Sequence, residues 1–168
     1  YTTTKDCILQ DYPYEASIMS MLGFCEEVVV VDGGSTDGTW ERLQELSEEH
    51  ENLIVHQQVR DWDTTRFAVF DGAQKALARS MCTKKFCWQQ DSDEVVHEED
   101  YEKVHALVRN FPAGVELIAL PVVEYWGGPE KVRMDINPWK WRISRNLPHI
   151  THGIPDDLRK YDSDGNLY

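Results

Sequence analysis

A chain of 168 residues with 41% hydrophobic and 11% aromatic side chains has room for one substantial core, is too short for two ordinary domains, and is not of disordered composition. A formal net charge of −13 without any lysine- or arginine-rich stripe argues against a nucleic-acid partner, while leaving room for an anionic small ligand wherever a bound divalent cation dominates the local field. Cys7, Cys25, Cys82 and Cys87 make no CxxC pair and no zinc-spaced cluster with histidine, and read as reduced thiols in a cytoplasmic setting.

In chain order, Asp11 and Pro13 open a helix with Ile18, Met21 and Leu22 on one face, for which Gly23 is the expected terminator. Val28-Val29-Val30-Val31 is an unbroken β-branched run, suited to a strand buried on both faces, and Asp32-Gly33-Gly34 breaks it. Ser35, Thr36 and Asp37 are cap formers before a helix repeating Trp40, Leu43 and Leu46. Leu53-Ile54-Val55 is a short strand, and Phe70, Ala73, Leu77 and Met81 mark a third helix. A fourth strand is expected at 85–90, and a helix follows with Tyr101, Val104, Leu107 and Phe111.

Such alternation predicts an α/β domain with an open, mostly parallel sheet flanked by helices, binding its ligand at the carboxyl ends of the strands. Past Pro112 the regularity fades, with strands expected at 117–126 and 139–144 around the breaker Gly127-Gly128-Pro129. The chain starts at Tyr1 rather than Met and its last residues read as a hairpin turning at Asp164-Gly165, so a segment of a longer protein is expected. Its single domain then divides into a nucleotide-binding half, 1–111, and a partial acceptor-side half, 112–168. No apolar run reaches the roughly 18 to 20 residues of a membrane span, and no signal peptide opens the chain. Any membrane association is expected to be peripheral, through parts outside this chain.

Two segments run from an apolar strand into short acidic and small residues: VVVVDGGSTDGT and FCWQQDSDEVV. In an extended backbone Asp91 and Asp93 point to one side and Ser92 away, an arrangement that suits a hard cation completed by waters and phosphate oxygens. The alternative is that the pair caps a helix or solvates a loop. Asp32 similarly reads either as a turn residue or as a hydrogen-bond acceptor for a base or ribose, with Gly33 letting ligand approach the backbone. Neither GxGxxG nor GxxxxGK[ST] occurs.

With EEVVVVDGGSTDGTWERL, RFAVFDGAQKAL and QQDSDEVV in this order, the chain resembles glycosyltransferase family 2, of GT-A fold, over about residues 12 to 100. The resemblance implies a nucleoside-diphosphate sugar donor, often UDP, and metal-dependent transfer with inversion to a saccharide, lipid-linked or other small acceptor. Asp32, Gly33, Ser35, Asp91 and Ser92 would then line the donor, with Arg60 or Arg66 helping to neutralise the diphosphate. Asp91 and Asp93 would hold Mn²⁺ or Mg²⁺, with His152 as an additional ligand. Asp156 or Asp157 is the acidic candidate for the base that an inverting transfer requires; a loop with Asp157 capping a short helix is the alternative. Trp126 and Trp139, with Tyr125 and Trp141, form either an acceptor-binding aromatic wall or core packing. Two other functions compete: a nucleotidyltransferase on a similar sheet, and a nucleotide- or sugar-binding scaffold without catalysis.

Overall fold

The computed structural model describes residues 1–59 and 67–152, of which 67–70 by backbone alone. Arg60, Arg66, Asp156, Asp157 and the Asp164-Gly165 turn lie outside the described residues. The elements are β1 (Thr2–Thr4), α1 (Tyr14–Leu22), β2 (Val28–Asp32), α2 (Thr39–Glu49), β3 (Leu53–Gln57), α3 (Phe67–Ser80), β4 (Phe86–Trp88), α4 (Tyr101–Arg109), β5 (Leu117–Pro121) and β6 (Trp139–Arg145). A 3-10 turn at Glu98–Asp100 leads into α4.

β2 pairs in parallel with β1 and β3, aligning Val30 with both Thr2 and Val55. β6 pairs antiparallel with β4 and β5, and the register slips at Ile118/Ala119. Tyr1 joins the two three-stranded sheets: its ammonium donates to Trp88 O at 2.7 Å, and Gln90 N donates to Tyr1 O at 3.2 Å, the spacing of a parallel neighbour. The strands therefore follow one another as β3-β2-β1-β4-β6-β5, and the ends of β2 and β4 that carry the acidic motifs flank β1.

The valine run is buried throughout because it serves two faces. Val28 and Val30 pack with Ile18 and Met21 of α1 and Leu43 and Leu46 of α2; Val29 and Val31 pack with Tyr1, Ala78 of α3 and Cys87 of β4. The expected apolar stripe of α3 is only partly what the helix buries: Leu77 and Met81 lie against this second cluster, but the fully covered side chains include Gln74 and Arg79. Small and polar residues there bring α3 close to the sheet and let its long side chains bond across it.

The region past Pro112 departs from the earlier pattern. Strand 117–126 is shorter than expected, ending at Pro121, and it runs antiparallel to β6. Gly23 terminates α1 as expected, though with an ordinary helical φ of −68°, so left-handed geometry is not its purpose. A Cβ there would lie 2.5 Å from Cε2 of the Tyr101 ring, so the glycine is a contact surface for α4. Gly23→Ala is expected to destabilise the fold by about 1–3 kcal/mol through overpacking, measured by urea denaturation.

The α3–β4 connection is held by Glu27. Its carboxylate accepts from Thr83 N at 2.5 Å, Thr83 Oγ1 at 2.6 Å and Lys84 N at 3.1 Å. Burial alone would raise the Glu27 pKa, but these donors outweigh it and hold the group below the ordinary range. A depressed folded pKa means the stabilisation is present above the unfolded value and is lost as pH falls through the folded one. Glu27→Gln is accordingly expected to cost about 1–2 kcal/mol at pH 7, with the gap to the wild type closing in acid, as read from denaturation midpoints across pH.

Candidate active site

The site is built where β1, β2 and β4 end. Asp32, the last residue of β2, is fully buried, and its carboxylate accepts from Thr4 Oγ1 (2.9 Å), Gly34 N (2.9 Å), Ser35 N (2.8 Å), Ser35 Oγ (2.5 Å) and Gln57 Nε2 (3.1 Å). These internal donors use its acceptor capacity, so the direct bond to a base or ribose expected of Asp32 is not open to it in this structure. What Asp32 does is fold the loop that follows. Gly34 needs φ = +89° there, and its missing Cβ leaves room for Val59 Cα at 3.2 Å.

Ser35 belongs to the same knot. Rather than capping α2, it donates to Asp32 and accepts from Asp6 N at 2.7 Å. Asp37 is the residue that approaches the cap role, accepting Thr39 N at 3.0 Å and Leu9 N at 2.7 Å. The loop after β1 is drawn over this strand end. Asp6, with φ = +46°, accepts from Thr36 N at 2.9 Å and pairs with Lys5, whose Nζ also reaches Gly34 O at 3.2 Å.

The Asp91-Ser92-Asp93 triplet is not extended. Glu94 N donates to Asp91 O at 3.1 Å and Asp91 N donates to the Glu94 carboxylate at 2.9 Å, so the chain turns there and the two aspartates are differentiated. Asp91 is half-buried and turned toward α3: its Oδ1 accepts from Lys75 Nζ at 2.7 Å and Gln89 Nε2 at 2.8 Å. Burial pushes the Asp91 carboxyl up, yet the Lys75 ammonium outweighs it and holds the group below the ordinary range. Lys75 also pairs with Asp71 at 3.0 Å, and the two acids keep its pKa raised against burial. Asp93 is exposed, and among the described residues no hydrogen bond or ion pair engages its carboxylate.

Behind the turn lies a polar support that sequence reasoning did not find. Gln90, 1% exposed, donates through Nε2 to Ser17 Oγ (2.9 Å), Ser20 Oγ (3.2 Å) and Glu94 O (2.8 Å), fastening the turn to α1. Arg142 of β6, 5% exposed, donates to Gln89 Oε1 at 2.7 Å and pairs with Glu94. Burial outweighs the guanidinium at Glu94 and leaves its carboxyl above the ordinary range. The signal available in the sequence was a charged residue alternating inward in WKWRIS.

The loops of β1 and β4 touch. The Cys7 thiol lies near the Ser92 side chain, Asp32 and Asp37; burial first, and then the two carboxylates, push its pKa up. His152 bonds to the Tyr1 hydroxyl and crosses its ring edge-on at 5.5 Å. Burial, assisted by Lys75 and Arg79, pushes the imidazole down to about 4, so it is neutral at pH 7. Trp126 and Trp139 are 66% and 58% exposed, which removes core packing as their explanation; Arg133 lies 5.4 Å over the Trp126 ring. Among the described residues no group of three or more His, Cys, Asp or Glu side chains is arranged to hold a metal ion. No described helix is long and apolar enough to cross a membrane.

The chain belongs to glycosyltransferase family 2: the model described as "Glycosyl transferase family 2" matches residues 25–158. The fold is also that of S. aureus TarS, whose crystal structure superposes with a TM-score of 0.59 at 19% identity, covering 86% of this chain and 27% of that one. Crystal structures of TarS 1–349 alone and in complex with UDP superpose at 0.53, with 20% and 19% identity, each covering 86% of this chain and 45% of theirs. The chain thus spans less than half the length of these solved structures. No curated protein matches it.

Proposed function

We propose that this glycosyltransferase takes its sugar from a nucleoside-diphosphate donor, a UDP-sugar, and delivers it with inversion to an acceptor hydroxyl. The observation that carries this reading is the division of labour at the β4 end: Asp91 is paired with Lys75, while Asp93, two residues on, stays exposed. The UDP complex of TarS, of the same fold, supports the choice of nucleotide.

The residues present fit a divalent cation. Mg²⁺ and Mn²⁺ need only one or two carboxylates when phosphate oxygens and waters complete the shell, and an exposed carboxylate free of internal donors meets that need. Asp93 would hold the ion, with Asp91 close behind and the neutral His152 as an additional ligand. Bound there, the cation would stabilise charge on the departing diphosphate. Lys75 keeps Asp91 ionised yet balanced. Asp32, with Gly33 and Ser35, serves the donor by shaping the loop after β2, and Ser92 meets the loop after β1 at Cys7. Arg60 and Arg66 are assigned to the diphosphate, and Asp156 or Asp157 to the base that takes the acceptor's proton. Trp126 and Trp139 are assigned to the acceptor, offering exposed rings for sugar stacking.

The test is UDP release from a panel of UDP-sugars by the full-length protein, with Mn²⁺ or with chelator. Steady release with metal supports the reading. Pyrophosphate release from nucleoside triphosphates would assign a nucleotidyltransferase instead, and binding without turnover would assign a scaffold.

A further inference from the structure

Two of the four cysteines are brought together on the α3 face of the sheet, apart from the acidic strand ends. Cys87 of β4 and Cys82, in the connection from α3, pack in one cluster with Tyr1 and Ala78. Cys82 Sγ also reaches Ala78 O at 3.5 Å. Both thiols line a cavity of about 670 Å³, on whose wall Cys25, Lys84 and Lys85 also lie. A small solute in that cavity meets these sulfurs between the lysines and the carboxylates of Glu26 and Glu27.

The charge beside the pair is what separates its sulfurs from the third. Arg79 is 4% exposed, and its guanidinium donates to Ile150 O (2.8 Å), Ser144 Oγ (2.7 Å) and Arg145 O (2.7 Å). All of these acceptors are neutral, so they satisfy its hydrogen bonds without cancelling its charge, and a nearby anion is favoured. Cys87 is placed to be that anion. The neighbouring Cys82 thiol holds the Cys87 thiol below the ordinary cysteine range, against burial and with help from Arg79. The same neighbour, with burial, holds Cys82 up as the protonated partner. Cys25 shares the cavity but has no such support, and burial pushes it up to about 11.

We infer that Cys82 and Cys87 form a reactive dithiol, a modification site at which a small hydroperoxide closes an intramolecular disulfide. The Cys87 thiolate attacks the outer peroxide oxygen and the O–O bond breaks. The leaving oxygen takes a proton from solvent, and Cys87 is left as a sulfenic acid. The Cys82 sulfur then attacks that sulfur; the S–O bond breaks, and hydroxide departs with the Cys82 proton as water. Two thiols are oxidised, and one hydroperoxide is reduced to its alcohol and water. The new bond ties the end of α3, the helix that bears Lys75, to β4, the strand that leads into Asp91.

The test treats the full-length protein with hydrogen peroxide, then alkylates the remaining thiols and maps the peptides. The expected result is a loss of about 2 Da, located in a Cys82–Cys87 linkage that dithiothreitol reverses, with Cys7 and Cys25 still alkylated. Cys82→Ser should stop at a dimedone-trappable sulfenic acid on Cys87, and Cys87→Ser should leave Cys82 unreactive. Oxidation of Cys25 as fast as Cys87 would show that access alone sets reactivity, and would overturn the inference. So would peroxide treatment that leaves Cys82 and Cys87 both alkylatable. None of these readouts depends on donor, metal or transfer activity.

Discussion

Asp93→Ala is expected to abolish the joint stabilisation of the protein by Mn²⁺ and UDP while leaving its unliganded melting temperature close to wild type. A ligand pair binding only the folded state at a hundredfold over its dissociation constant adds about 2.7 kcal/mol, or roughly 5–10 °C for a domain of this size. Asp93 is exposed and makes no recorded bond to the described fold, so its removal touches the ligand and little else. Asp91→Ala should behave differently. It would strand Lys75 beside Asp71 alone and so lower the unliganded melting temperature as well. Differential scanning calorimetry with metal, nucleotide and both together separates the two variants. Donor turnover by Asp93→Ala should fall by about 10²–10³-fold, the scale of losing one preorganised electrostatic contact to the leaving group.

Arg142→Ala is expected to be the most damaging single change to the support of the site, costing about 3–5 kcal/mol. It leaves the partly buried Glu94 without its partner, and it removes the donors to Gln89 that join the end of β4 to β6. Glu94 already sits above the ordinary carboxylate range because burial outweighs its partner, and without Arg142 it would be driven further toward the neutral acid. Arg142→Met with Glu94→Gln should recover much of that loss, since a matched neutral pair strands no charge. Chemical denaturation gives the stability of all three. Metal-linked UDP stabilisation of the double variant then tells whether the Asp91–Asp93 turn still holds its shape without the ion pair.

The parts of this fold legible in the sequence are those in which one local pattern has one consequence. Four consecutive β-branched residues, Val28 to Val31, can be covered only by a sheet with helices on both sides, and the structure divides them between α1 with α2 and α3. The helix phases around Leu43, Leu46 and Val104 were fixed by spacing alone. The carboxylates at the ends of β2 and β4 were legible as residues, but their roles were not. Whether Asp32 faces a ligand or the chain depends on Thr4, Ser35 and Gln57 converging on it from three segments, and no local pattern encodes that convergence. The bend at Asp91 depends likewise on Glu94 finding an inward cation more than forty positions away, on β6. Lys75 was hidden by its setting, since a lysine in an amphipathic helix ordinarily reads as solvent-facing. The antiparallel half was obscured for another reason: the strands past Pro112 are partly exposed, so burial imposed little alternation on them.

The most direct measurement is the anomalous signal of Mn²⁺ in crystals of the full-length protein grown with UDP. A peak within coordination distance of the Asp93 carboxylate and the UDP diphosphate, with the uridine against the loop folded by Asp32, is the predicted result. Nucleotide bound elsewhere, or a metal at the diphosphate with Asp93 pointing away to solvent, would contradict the account.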